Sequence, residues 1–301
     1  MKNKSKQGLK TAKTRVSVVE LDFSTWKQVI SNTIKTSIKD RITLSAASLA
    51  FHWFLAIFPA LIAITGIFAL IGLSPAELKN VVHGIRIIFP ANVVQVLEQS
   101  IKQPPGGSQV SYTEVFLGTL VALWSAIEAM SALQISLDMA FETQKDRGFL
   151  KRRLMGTILL LFSTSLGVVA FVLFVLGAPL GSFISHNVGI APTIFRAIWT
   201  LIRFLVSIFA VMLLVSIYYF LGPNKDNKHF DWVSPGSLIA VLGWLVSSIL
   251  FSFYLNHFGH QSSSYGAFAG VVTLLLWLFL SSTTVLLGAE LDRELERQNQ
   301  K

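Results

Sequence analysis

Residues Tyr112 to Phe141 read YTEVFLGTLVALWSAIEAMSALQISLDMAF. The run is long and apolar enough to cross a bilayer, which takes about 20 residues of helix. It also carries Trp124, Ser125, Glu128, Ser131, Gln134 and Asp138. Glu128, Ser131, Gln134 and Asp138 recur three or four apart and so share one helix face. Charge is costly in hydrocarbon, so that stripe must meet protein, water or a ligand. At ~1.5 Å per residue, Glu128 lies about 24 Å of helix rise below Tyr112, in the inner half of the span.

Five further apolar blocks flank this one. The spans are read as 44–72, 113–140, 154–180, 197–221, 235–257 and 266–291, within a membrane domain of 41–292. The chain has 301 residues, 52% hydrophobic and only 14% charged, near half the charge of an ordinary soluble domain. Spanning segments of this length are helices, because an open strand edge has no partner in lipid. The fold class is therefore an all-α integral membrane protein with six transmembrane helices.

Basic residues set the orientation. Twenty of the 25 Lys and Arg fall before the first span, between the second and third, between the fourth and fifth, or in the tail at 293–301; Lys79, Arg86, Lys102 and Arg196 occupy the other gaps. That bias places both termini in the cytoplasm. The formal charge of +9 follows from topology and needs no nucleic acid. The partners it implies are membrane lipids with anionic headgroups at the cytoplasmic face; a homo-oligomer stays open. There is no cysteine, and no cleavable signal peptide precedes the first span.

Residues 1–20 form a basic, disordered arm. In 21–40, Phe23, Trp26, Ile30, Ile34 and Ile38 fall on one face, with Ser24 as a cap. This is an amphipathic helix lying on the inner leaflet, its Lys27, Lys35 and Lys39 reaching headgroups. Ser24 to Lys27 also spells S-x-x-K, without the partner motifs that catalysis needs. Pro59 is expected to kink or break the first span. The outer segment 75–105 holds short helices, with Ser74, Pro75 and Glu77 starting the first. They either lie on the outer leaflet or cover a cavity. Trp124 and Trp277 stand twelve residues after Tyr112 and Tyr265, an echo that chance explains.

No nucleotide-binding loop, nucleophile elbow or H-E-x-x-H is present, so the expectation is no enzyme, no cofactor and no metal. Substrate- or ion-path candidates are His52, Ser125, Glu128, Gln134, Arg203 and Glu290. Glu128 pairs with His52 or Arg203, or titrates as a relay. Asp138 meets Lys145 or Arg147. Lys151, Arg152 and Arg153 are lipid-headgroup candidates.

The ordered set of Leu123-Trp124-Ser125-Ala126, Phe149 with Lys151-Arg152-Arg153, Pro235-Gly236, Tyr254-Leu255-x-His257-Phe258-Gly259, Tyr265-Gly266 and Leu287-Gly288-Ala289-Glu290-Leu291 resembles the YihY/BrkB family of bacterial inner-membrane proteins. The first span, with Ala46-Ala47-x-Leu49-Ala50-Phe51 and Phe58-Pro59, is similar too. The resemblance covers roughly 25–297 and implies six spans with both ends inside. It implies a role in the cell envelope, with transport of amphipathic lipids as one expectation and a scaffold or assembly factor as the alternative. The family's ribonuclease label is not supported by these residues, which lack a His/Asp metal cluster. Glu128 and Asp138 depart from the family pattern, which usually has a basic residue and an asparagine there.

Overall fold

The computed structural model describes residues 22–71, 112–143, 145–171, 173, 192–226, 230–258 and 266–298. The basic arm at 1–20 and the outer segment at 75–105 lie outside the described residues. Among the described residues there are seven helices. They are α1 (Phe23–Lys39), α2 (Ile42–Ile71), α3 (Tyr112–Ala140), α4 (Phe149–Phe171), α5 (Pro192–Leu221), α6 (Pro235–Phe258) and α7 (Gly266–Gln298). Six of them, α2 to α7, are long and apolar enough to span.

Each spanning helix packs against the next in the chain, and α7 returns to α2. Elements consecutive in sequence are usually adjacent in space. The largest buried cluster draws on all six: Leu49 of α2, Leu133 and Leu137 of α3, Leu159 of α4, Tyr218 of α5, Val241 of α6 and Leu286 of α7. These residues sit toward the ends of the helices that the basic residues assign to the cytoplasm. Toward the opposite ends, Phe116, Leu120, Ile198, Leu201, Ile202, Ile249 and Phe253 are exposed. So much uncovered apolar surface is unsustainable in water but ordinary against lipid.

Close backbone approach holds α6 to α7. A Cβ added at Gly236 would collide with the Gly288 carbonyl oxygen and the Asp292 side chain. A Cβ at Gly288 would collide with the Gly236 carbonyl and the Tyr219 hydroxyl. Small residues at such crossings let membrane helices pack by van der Waals contact. Gly288→Ala should therefore cost about 1–3 kcal/mol through overpacking. A thermal melt in detergent checks this, and an unchanged melting temperature would remove the argument.

Several expectations change. Ser24 does not cap α1; Asp22 holds the cap position, and Ser24 Oγ donates to the Asp22 carboxylate at 2.6 Å. α2 continues through Pro59 without a break. α4 starts at Phe149, so Lys151, Arg152 and Arg153 belong to its first turns. α7 runs on to Gln298, so the stretch read as a tail from 293 is helix. The reason is α1, whose Val29 and Trp26 pack on Leu291 and Leu295 while Asn32 donates to Glu294 at 2.9 Å. The face of α1 bearing Ile30, Ile34 and Ile38 remains exposed.

Candidate functional site

The polar residues gather at the end of the bundle where α1 docks. α5 stops at Gly222-Pro223, leaving its last carbonyls without intrahelical donors. Arg147 supplies them. Its Nη1 donates to Gly222 O at 2.6 Å and its Nη2 to Leu221 O and Pro223 O at 3.0 Å. Nη1 also donates to Gln134 Oε1 at 3.0 Å. The Gln134 amide, 0% exposed, donates in turn to the carbonyls of Met130 and Arg152. Burial lowers the Arg147 pKa from its ordinary value, and the nearby Asp138 charge opposes that shift. A guanidinium stays cationic under such a shift, and a cation suits a helix C-terminus.

The start of α6 is tied in the same manner. Ser237 N donates to Ser234 Oγ at 3.0 Å, and Gly236 N donates to Asp292 Oδ1 at 2.6 Å. A carboxylate from α7 therefore meets the positive end of the α6 dipole. Asp138 accepts from Asn224 N at 2.7 Å and from the Thr143 hydroxyl at 2.9 Å. The expected pairing of Asp138 with Lys145 or Arg147 is corrected: Lys145 pairs with Asp226, and Arg147 acts on Asp138 only across space.

A second buried cation, Arg293, gathers three acids. It pairs with Glu142, with Glu290 at 3.4 Å, and with Asp40 at 3.9 Å. Glu290 is 1% exposed, and its Oε1 has no hydrogen-bond partner. Arg41 and Glu142, the residues of the α1–α2 elbow and the α3 terminus, have φ of 51° and 46°. Such left-handed turns are unusual for residues other than glycine. Arg293 holds both turns, through Asp40 beside one and Glu142 in the other.

The surface notch between α3 and α4 differs from these junctions. Glu128 pairs with Arg153, with side chains 45% and 18% exposed. The Arg153 guanidinium lies 4.5 Å from the Trp124 ring centre and 5.3 Å from that of Phe149. Trp124 is 62% exposed. The expectation that Glu128 pairs with His52 or Arg203 is thus overturned. Arg153 stands in the second turn of α4 and reaches inward to Glu128, whose neighbour Ile127 lies against Gly156, about one turn beyond the basic residues and roughly 18 Å of helix rise from the end of α3.

The other candidates do not converge on this notch. His52 Nδ1 donates to Ser48 O of its own helix at 2.8 Å, and Ser125 is half-buried on α3. Arg203 lies against Phe204, roughly 27 Å of helix rise from the α5 terminus that Arg147 holds. Arg152 pairs with Asp146. Lys151 is exposed. Trp277 is buried and donates to Ser248 Oγ, unlike the exposed Trp124, so the twelve-residue echo reflects no shared environment. Sequence reasoning counted Arg293 only as a topology marker, and Arg147 as that and as a partner for Asp138. The signals that point to their roles are the Gly222-Pro223 helix stop and the alternating charges from Glu290 to Glu296.

Six lipid-compatible helices, with most of their charge gathered at one end, define a multi-pass membrane protein. The chain belongs to the Virulence factor BrkB family, whose model matches residues 33–301, and it is a multi-pass bacterial membrane protein. It is 30% identical over 253 residues to the putative ribonuclease-like protein YfkH of Bacillus subtilis, covering 84% of this chain and 90% of that one. It is 27% identical over 282 residues to a UPF0761 membrane protein of Vibrio atlanticus, covering 87% and 80%. A UPF0761 membrane protein of Chlorobium luteolum is 28% identical over 263 residues, 84% of this chain but 56% of that one. No solved structure matches.

Proposed function

We propose that this protein is a transporter, of the flippase type, for an amphipathic envelope lipid that carries an anionic group. The observation that supports this reading most is the half-exposed Glu128–Arg153 pair beneath Trp124. A structural ion pair has no need to stand on the exposed side of a spanning helix. A site for a lipid headgroup must stand there. Lys151, exposed beside the pair, adds positive charge that attracts an anionic group. Arg203, inside α5, offers a second cationic station toward the outer side. With no nucleotide-binding loop in the sequence, the energy comes from an ion gradient or from the lipid gradient itself.

Hydrolysis of RNA is not part of this reading. Among the described residues no group of three His, Asp or Glu is placed to hold a metal ion, and such groups are what metal-assisted phosphodiester cleavage employs.

The test is lipid movement in proteoliposomes, read by chemical quenching of a fluorescent phospholipid in the outer leaflet. The wild type should move lipid faster than protein-free vesicles. Arg153→Gln should slow it by about fivefold, on the order of the ~1 kcal/mol that a part-exposed charge contact supplies. Movement no faster than in empty vesicles would reject transport. It would favour the scaffold reading instead, which the tightly packed cytoplasmic end and the α1–α7 docking support.

A further inference from the structure

We infer that the Glu128–Arg153 notch recognises a zwitterionic phospholipid headgroup bearing a primary ammonium, the phosphate going to Arg153 and the ammonium to Glu128. The inference rests on the lipid-handling reading above and adds the class of lipid.

The notch presents one acid and one base side by side, from α3 and α4. An anion site alone needs no carboxylate, and Glu128 would repel an anionic lipid. An ethanolamine headgroup carries the matching pair, an ammonium two carbons from a phosphate oxygen. Arg153 donates to Glu128 through Nη2, while its Nη1 is shielded and has no acceptor. A buried donor without a partner is unfavourable, so an arriving acceptor gains there. Phosphate oxygens are acceptors, and a guanidinium engages them through two nitrogens at once. Trp124 packs over the guanidinium and is itself mostly exposed, so lipid binding at Nη1 requires its ring to move aside. Once phosphate takes the guanidinium, Glu128 loses its cation, and the headgroup ammonium replaces it. One internal ion pair becomes two pairs with the lipid. A headgroup with phosphate but no ammonium leaves Glu128 unpaired beside a second anion. A quaternary ammonium restores the charge but donates no hydrogen bond to the carboxylate.

The experiment is native mass spectrometry of the purified full chain with an equimolar mixture of phosphatidylethanolamine, phosphatidylcholine and phosphatidylglycerol. Phosphatidylethanolamine should be retained over phosphatidylglycerol by about three- to tenfold, reflecting one extra part-exposed ion pair. Glu128→Gln should abolish that preference while still binding phospholipid, and Arg153→Gln should lower binding of all three. Should Glu128→Gln fail to fold, the wild type is compared on phosphatidylethanolamine and its N-acetylated form. Acetylation removes the ammonium charge and should cost the same factor. Equal or stronger retention of phosphatidylglycerol by the wild type overturns the inference, as does indifference to N-acetylation. Because this measures binding and not movement, selective retention without translocation would reject transport and leave the headgroup assignment standing.

Discussion

Arg147→Ala is expected to cost this protein about 3–5 kcal/mol, because it strips donors from a buried, charge-assisted network. The carbonyls of Leu221, Gly222 and Pro223 and the Gln134 side chain all accept from this one guanidinium. Without it, the end of α5 is left with buried acceptors, and the link from α3 through Gln134 is cut. Lysine should restore little. Its ammonium is a compact point charge, and it cannot reproduce a planar fork serving four acceptors in different directions. Gln134→Leu should be milder, since Arg147 keeps its three carbonyls. Fluorescence-detected size exclusion after a temperature series reads these effects. Arg147→Ala should lose its monodisperse peak well below the wild type. Matching elution and melting would show that the carbonyls find other donors.

Arg293→Met should be of similar size, about 3–5 kcal/mol, for a different reason. It leaves Glu290, buried to 1% exposure, beside Asp40 and Glu142 with no cation among them. The double variant Arg293→Met, Glu290→Gln should recover a large part of the loss, since it removes the buried charge together with its partner. That non-additivity separates the charge argument from mere loss of side-chain volume. If the double variant is as unstable as the sum of the two single ones, the volume explanation holds instead.

How much was legible beforehand follows from the physics of each feature. Six spans could be read because the hydrocarbon core demands long apolar helices wherever they sit. The apolar faces of α1 could be read from spacing, but its docking on α7 could not. The exposed Ile30, Ile34 and Ile38 announce themselves, while the contact face joins Trp26 to Val29, Thr33 and Ser37, and the last three carry no strong signal. The polar stripe on α3 was legible as a stripe, yet its members serve different ends. Ser131 bonds back to its own helix at Ile127 O, Gln134 joins Arg147, Asp138 holds the Asn224 turn, and Glu128 faces outward to Arg153.

The sequence by itself therefore determined the class of protein, the number of spans and the location of charge. These follow from the transfer of side chains and backbone between water and lipid, which each segment meets independently. Only the tertiary structure decided which charges meet. Arg147 finds carbonyls 74 to 76 residues away, and Asp292 caps α6 through Gly236, 56 residues before it. A long-range ion pair or cap depends on how helices cross, and helix crossing depends on close contacts such as Gly236 against Gly288. Glu128, whose partner was expected to be His52 or Arg203, meets Arg153 instead because α4 packs beside it.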